Sequence, residues 1–168
     1  MSLREQLIRN IHDLELKAEV RAPHYDGGRS ARVIGPRVAG TVARDLGAGY
    51  DILPPGKTGC PFHCHYGEEE MFIILAGEGT LRVADERIAI RAGDVIDIPP
   101  GSEYPHQIIN TSAAPLAYLS ISTQKRPEVC EYPDSGKYLL ITGDQRGLVA
   151  GGRMHRADTD LDYWDGEA

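Results

Sequence analysis

Residues 59–70 read Gly59-Cys60-Pro61-Phe62-His63-Cys64-His65-Tyr66-Gly67-Glu68-Glu69-Glu70. Alternate residues of a β-strand point to the same face and lie roughly 7 Å apart, so His63 and His65 can direct two imidazoles at one ion. Glu70 opens the apolar run of residues 71–75, and a carboxylate at the start of that strand can lie beside the histidines. The stretch therefore predicts part of a metal site, built on neighbouring strands.

A second stretch, residues 93–110, reads Gly-Asp-Val-Ile-Asp-Ile-Pro-Pro-Gly-Ser-Glu-Tyr-Pro-His-Gln-Ile-Ile-Asn and predicts a strand, a sharp turn and another strand. His106 lies in the last of these strands and supplies a third imidazole. Three histidines and one glutamate form a mixed nitrogen and oxygen ligand set that suits one divalent ion such as Mn, Fe, Co, Ni, Cu or Zn. On an octahedral ion four protein ligands leave two positions open, which equips the site for catalysis.

The composition predicts an all-β fold around these stretches. Glycine and proline account for 19 and 11 of the 168 residues, and both weaken helix interiors, which disfavours a helical bundle. Without a long helical period among the strands, a parallel α/β fold is also disfavoured. The short β-prone runs between turns are residues 38–46, 49–53, 61–66, 69–76, 79–83, 86–91, 94–98, 104–110, 115–123 and 137–141.

The two ends of the chain differ from this pattern. Apolar residues at helical spacing predict a short amphipathic helix within residues 2–16, with Ser2 as its N-cap. We expect loop over residues 21–37 and an irregular arm over 143–168, anchored by Trp164 against apolar surface.

Charge and cysteine content limit the partners. The net charge is −7, and five of the acids lie in the last 11 residues, so no basic footprint for nucleic acid is present. The apolar runs are too short to cross a membrane. Three cysteines, an odd and low count, and an N-terminus without a signal-peptide core predict a cytoplasmic protein.

The order of these residues resembles the cupin superfamily. Its first motif, G-x5-H-x-H-x3,4-E-x6-G, is matched except for a displaced leading glycine, and its second, G-x5-P-x-G-x2-H-x3-N, is matched with a turn two residues longer. The flanking segments at 132–137 and 162–167 are similar to those of small single-domain bacterial cupins of the cupin-2, conserved-barrel type. The matching residues are His63, His65, Glu70, Gly77, Gly93, Pro99, Gly101, His106 and Asn110.

The resemblance implies a jelly-roll β-barrel of six to eight strands with a metal inside, near one mouth. It implies that His63, His65, Glu70 and His106 are the ligands. We divide the chain into an N-terminal helix and loop arm (1–37), a cupin barrel (38–123) and a C-terminal extension (124–168) that packs on the barrel or on a partner subunit.

Strand alternation predicts the lining of the pocket. If Glu70 points inward, Phe72 and Ile74 do so too, and if His106 points inward, so do Tyr104 and Ile108. Plain core packing explains Phe72, Ile74 and Ile108 equally well, whereas a buried Tyr104 hydroxyl needs a partner.

Other polar residues near the motif are expected to lie outside the site. Cys64 lies between two inward residues and should point outward, and neither it nor Cys60 is expected to bind the metal. Glu68 and Glu69 are expected to be solvated, although Glu69 also satisfies the shorter motif spacing. The remaining histidines, expected on the surface, are His12, His24 and His155.

Two classes of function fit this reading. A metal-dependent enzyme acting on a small oxygenated molecule is favoured, with dioxygenase and isomerase chemistry both open. A sugar-phosphate isomerase would need converging cations, for which Lys57, Arg82 and Arg91 are candidates. The alternative is a non-catalytic cupin that binds or senses a small ligand. In either case we expect a homodimer, because a lone barrel leaves strand edges to cover.

Overall fold

A computed structural model describes residues 2–22, 25–36, 38–142, 152–158 and 160–167. These residues form an all-β structure with one short α-helix, α1, over Leu3–Leu7. The strands, in chain order, are β1 Lys17–Ala22, β2 Tyr25–Ile34, β3 Leu46–Leu53, β4 Cys64–His65, β5 Glu70–Ala76, β6 Glu78–Val83, β7 Glu86–Arg91, β8 Val95–Ile98, β9 His106–Ile109, β10 Leu116–Thr123, β11 Glu128–Tyr132, β12 Lys137–Ile141 and β13 Arg153–Arg156.

The described strands pair antiparallel in three sheets. The six-stranded sheet has the order β1-β2-β3-β10-β5-β8, the four-stranded sheet β13-β12-β11-β4 and the three-stranded sheet β7-β6-β9. Apolar side chains of the six-stranded and three-stranded sheets face each other and form the main core of the jelly-roll barrel. This core consists of Leu53, Phe72, Ile74, Leu81, Ile90, Ile98, Ile108, Leu116 and Tyr118.

The two smaller sheets meet at the histidines. His63 and His106 form an antiparallel bridge in which each backbone N–H donates to the other residue's carbonyl oxygen, at 3.1 and 2.7 Å. His65 follows in β4, which pairs with β11. Glu70 begins β5, in the opposite sheet. The barrel therefore brings the four predicted ligands together from both sides.

A motif glycine shows why the strands turn where they do. Gly77, between β5 and β6, has φ +82°, and a Cβ there would lie 2.4 Å from the Pro115 carbonyl oxygen. No other residue fits without displacing this backbone, so the sharp reversal after β5 depends on glycine.

Several sequence predictions need correction. The loop expected over residues 21–37 is wrong, because β1 extends to Ala22 and β2 covers Tyr25–Ile34 within this range. The strand expected at 38–46 is absent up to the start of β3 at Leu46, and the chain there forms turns. Conversely, β11 lies in a segment where no strand was expected, whereas the predicted strand at 137–141 is confirmed as β12.

The N-terminal helix is shorter than predicted. Ser2 does cap α1, since its hydroxyl accepts from the Glu5 N–H while the Glu5 carboxylate accepts from the Ser2 N–H. The helix ends at Leu7, however, and a 3-10 helix at Ile11–Asp13 follows. Ile11 packs on the outer face of the six-stranded sheet, whereas Leu7 stays 61% exposed.

The C-terminal segment also departs from expectation. Part of the arm expected to be irregular forms β13, which pairs with β12. Trp164 does not anchor the tail within the chain, because it is 71% exposed and contacts the ring of Tyr163. The division of the chain at residues 37 and 123 stays a prediction, although strands from both flanking segments pair into the sheets. None of the described helices is long and apolar enough to span a membrane.

Candidate metal centre

Each of the three histidines has one ring nitrogen occupied by a hydrogen-bond acceptor. His63 Nδ1 lies 2.8 Å from the Pro61 carbonyl oxygen, and His106 Nδ1 lies 3.2 Å from the Tyr104 carbonyl oxygen. His65 Nδ1 lies 3.2 Å from a carboxylate oxygen, Glu128 Oε1. Since carbonyl and carboxylate oxygens only accept, Nδ1 carries the proton in all three rings, and Nε2 keeps a free lone pair.

The three Nε2 atoms converge on one oxygen of Glu70. Their distances to Glu70 Oε2 are 2.9 Å for His106, 3.5 Å for His65 and 3.9 Å for His63. Although Glu70 Oε2 and His106 Nε2 are so close, both are buried and neither has a hydrogen-bond partner among the described residues. In the neutral Nδ1–H tautomer each Nε2 is an acceptor, so three acceptor atoms surround a carboxylate oxygen, an arrangement that a cation among them would stabilise.

The spacing of these atoms fits a transition metal. Two ligands of one ion, each about 2.1 Å from it, can be at most about 4.2 Å apart, and all three distances to Glu70 Oε2 fall below that limit. The donor atoms of His63, Glu70 and His106 also all lie close enough to one another to hold a metal ion. The described residues therefore fit the metal that the donor set predicts.

The protonation states suit metal binding. Burial, together with the charge of His106, lowers the pKa of His63 to about 3 against an opposing effect of Glu70. Burial raises the pKa of Glu70, but the contact with His106 and the electrostatic interactions with His65 and His63 lower it by more, to about 2. At neutral pH His63 is therefore neutral and Glu70 is a carboxylate, the forms that coordinate metals.

His65 is held differently. Burial lowers its pKa, but the hydrogen bond to Glu128 and the carboxylates of Glu70 and Glu68 raise it by more, so the pKa lies above its usual value. Its Nδ1–H is hydrogen-bonded to a carboxylate, whereas the other two rings have backbone carbonyl oxygens as partners.

The predicted pocket residues differ in burial. Phe72, Ile74 and Ile108 are buried in the main core, and the Phe72 ring lies 5.6 Å from that of His106. Tyr104 does not join them, since it is 44% exposed. Strand alternation does not extend to Tyr104, because β9 begins at His106. Tyr104 contributes its backbone carbonyl oxygen, which lies beside His106 Nδ1.

The cysteines are placed partly as expected. Cys64 points away from the histidines and is covered by β11, with its sulfur 3.9 Å from Glu131 Oε2, and Cys60 is exposed. Cys130, on which no expectation was placed, pairs with His65 across the strands and lies close to it and to His63. It packs with Leu139 and Ile141, so we assign it to the core.

The acidic neighbours of Glu70 separate into two environments. Glu69 is exposed as predicted. The expectation for Glu68 is wrong, because Glu68 is buried and forms an ion pair with Arg126. The surface positions predicted for His12 and His155 are correct, and His24 lies outside the described residues.

Sequence reasoning missed three residues beside the histidines, Glu128, Cys130 and Tyr132. All are on β11, and the nearest of them in the chain, Glu128, is 63 residues from His65. The Tyr132 ring stacks at 6.1 Å from that of His63, and burial raises its pKa well beyond the usual range. The segment at 132–137 pointed to the neighbourhood of Tyr132, but nothing in the sequence paired Glu128 with His65.

Comparison with known proteins agrees with this geometry. The family model for the Cupin domain matches residues 49–122. An uncharacterized protein of Methanocaldococcus jannaschii is 33% identical over 97 residues, 58% of this chain and 74% of that protein. The oxalate-binding protein of Thermotoga maritima is 38% identical over 69 residues, 41% of this chain and about half (54%) of that protein.

Solved structures share the architecture. A crystal structure from Silicibacter pomeroyi, described as a sugar phosphate isomerase from a cupin superfamily, superimposes with a TM-score of 0.73 at 22% identity. The alignment covers 93% of this chain and 96% of the other, so the likeness includes the segments outside the motifs. The family model, together with the motif residues and the barrel, identifies this chain as a cupin-type domain protein.

Proposed function

We propose that this protein binds one divalent transition-metal ion through His63, His65, Glu70 and His106 and acts as a metal-dependent enzyme on a small oxygenated molecule. The observation that carries the proposal is the convergence of the Nε2 atoms of three histidines on the buried Glu70 Oε2. Hydrogen bonds to Nδ1 fix the ring orientations, so the ligands are arranged before any ion arrives.

A bound ion would supply Lewis acidity, polarising an oxygen of the substrate. The chain's own residues shape what lies beside it. The ring of Phe72, packed against His106 and at 6.0 Å from Tyr118, keeps water from the core side of the ligands. The Tyr132 ring stacks on that of His63, and its hydroxyl interacts with Cys130, so this side chain borders the ligands on the β11 side.

Isomerase chemistry on a hydroxy-carbonyl compound is the reaction we favour. Two adjacent oxygens of such a compound match the two positions that four protein ligands leave open on an octahedral ion. The extended architectural likeness to a protein described as a sugar phosphate isomerase supports this class. Dioxygenase chemistry, which needs the same open positions, is the competing reaction.

The proposal does not include a phosphate group. Arg82 lies next to Val83, which pairs with His106, so the arginine side chain faces away from the histidines. It forms a bidentate ion pair with Asp134, at 2.6 and 2.8 Å, and lies over the Phe62 ring. Arg82 is therefore already engaged on the outer face, where it cannot hold a phosphate above the metal ligands.

A non-catalytic binding function has one specific observation in its favour. The matched segment of the oxalate-binding protein is 38% identical to this chain. Oxalate also presents two adjacent oxygens and would occupy the same two open positions. We therefore keep binding of a small dicarboxylate as the second candidate.

The first experiment measures metal content. Protein purified without added metal is analysed by elemental mass spectrometry. The H106A variant is analysed in the same way, with H155A, which alters an exposed histidine, as the matched control. We expect about one transition-metal ion per chain in the wild type and in H155A, and almost none in H106A. If the wild-type protein takes up no metal even after reconstitution, the proposal is refuted.

The second experiment separates the functions. The metal-loaded protein is incubated with hydroxy-carbonyl compounds, enediols and oxalate, while NMR follows interconversion and an electrode follows oxygen. Interconversion without oxygen uptake supports the isomerase, and oxygen uptake that depends on substrate supports the dioxygenase. Saturable binding of oxalate with no turnover of any compound supports the binding protein and refutes the enzyme.

A further inference from the structure

Glu128, at the start of β11, is a buried carboxylate that lies outside both sequence motifs. The residue is 1% exposed and its side chain is fully buried. Its Oε1 accepts hydrogen bonds from His65 Nδ1 at 3.2 Å and from the Tyr66 N–H at 3.1 Å. Its Oε2 accepts from the Gly67 N–H at 3.0 Å. A charge this deeply buried is unfavourable unless it is paired, and all of these partners belong to one short segment of the motif.

The segment is shaped to admit the carboxylate. A Cβ at position 67 would lie 2.6 Å from Glu128 Oε2, so any side chain there would displace the carboxylate. Glycine at 67 thus allows the approach, and the two backbone N–H groups hold the carboxylate in place from one side. The third partner, His65, donates its Nδ1–H to Glu128 Oε1.

The hydrogen bond between Glu128 and His65 determines which ring nitrogen of His65 faces the metal site. With its Nδ1–H donated to Glu128, the ring can offer only Nε2, which lies 3.5 Å from Glu70 Oε2. His63 and His106 donate instead to backbone carbonyl oxygens. Among these three rings, His65 alone is oriented by a full negative charge, and such a partner increases the basicity of the coordinating nitrogen.

We propose that Glu128 is a positioning residue of the metal centre, which fixes the tautomer and orientation of His65 and makes His65 the strongest nitrogen donor. The inference rests on the metal site proposed above and extends it to the C-terminal segment. Strand β11 then contributes a residue to the metal centre, because the Glu128 carboxylate reaches the motif from that strand.

The test compares E128Q with E131Q, a matched control on the same strand. Glu131 accepts from the exposed Tyr66 hydroxyl at 2.7 Å and does not contact the histidines. Both variants and the wild type are titrated with Co²⁺, and the visible d–d spectrum of the bound ion is recorded. We expect E128Q to bind Co²⁺ about 10–100-fold more weakly and with a shifted spectrum, whereas E131Q matches the wild type.

A purely structural role for Glu128 predicts a different result. E128Q would then unfold more easily but bind Co²⁺ with the wild-type affinity and spectrum, and that outcome would overturn the proposal. If E128Q does not fold, a measurement on the wild-type protein tests the proposal instead. Nitrogen-15 NMR of the Zn²⁺-loaded protein must show His65 protonated at Nδ1 and metal-bound at Nε2, and the opposite tautomer refutes the proposal.

Failure of the metal site is distinguishable from failure of this inference. If the wild type binds neither Co²⁺ nor Zn²⁺, the proposed function is wrong. The same NMR measurement on the metal-free protein then reports on Glu128 alone. A His65 without a proton on Nδ1 contradicts the positioning role whatever the metal result.

Discussion

Replacing Glu70 with Gln tests whether its carboxylate is a metal ligand. The substitution keeps the size and one carbonyl oxygen but removes the charge at the atom on which the three Nε2 groups converge. Even screened as in water, a divalent ion attracts a carboxylate oxygen about 2.1 Å away by about 4 kcal/mol. The loss in the buried site should be at least of this order.

The assay is thermal unfolding with and without metal. A metal at about 1,000 times its Kd stabilises the folded state by about 4 kcal/mol, which for a domain of this size raises Tm by about 8–16 °C. Because the expected loss of binding energy is as large as this gain, we expect E70Q to show almost no metal-induced rise. The metal-free Tm and the circular dichroism spectrum check that the variant is folded.

The neighbouring carboxylate provides the control. Glu69 is exposed and also satisfies the shorter spacing of the motif. We expect E69Q to keep the full metal-induced rise in Tm. If E70Q keeps the rise while E69Q loses it, Glu69 is the ligand and the geometric argument is wrong. If both keep it, the carboxylate is not a ligand.

Three further predictions concern the rest of the molecule. Exposed Cys60 should react with a maleimide in the native protein. Cys64 should react only after unfolding, because it is 1% exposed and burial raises the pKa of its thiol to about 11. Equal labelling rates for the two thiols would contradict this burial. Ile74 is 1% exposed in the main core. Replacing it with Ala should lower the free energy of unfolding, measured by urea titration, by about 2–5 kcal/mol. A loss below about 1 kcal/mol would show that Ile74 does not lie in the core. Met71 and Val95 leave apolar surface exposed on the six-stranded sheet, so we predict a homodimer by sedimentation velocity; a monomer at micromolar concentration refutes it.

Local periodicity explains what could be predicted. His63 and His65 are two residues apart, and Phe72 and Ile74 follow Glu70 at the same interval, so alternation alone placed each group on one face. The prediction for Tyr104 failed at the same rule, because a residue outside the strand does not follow strand alternation.

Long-range pairing explains what could not be predicted. The strand β2 is rich in glycine and charge and does not resemble a strand by itself, but pairing with β3 satisfies its backbone groups. Glu68 appeared solvated because its partner, Arg126, is 58 residues away. Neither contact leaves a local pattern in the sequence.

The barrel was predictable from the resemblance of two motifs to those of cupins, and the four candidate ligands from the same motifs and from strand alternation, because these signals act over a few residues. How the ligands are held depends on contacts between distant segments. The His63–His106 bridge joins two sheets, and β11 brings Glu128 to His65. Strand pairing joins residues far apart in the chain, and the hydrogen bonds that orient a side chain depend on that pairing.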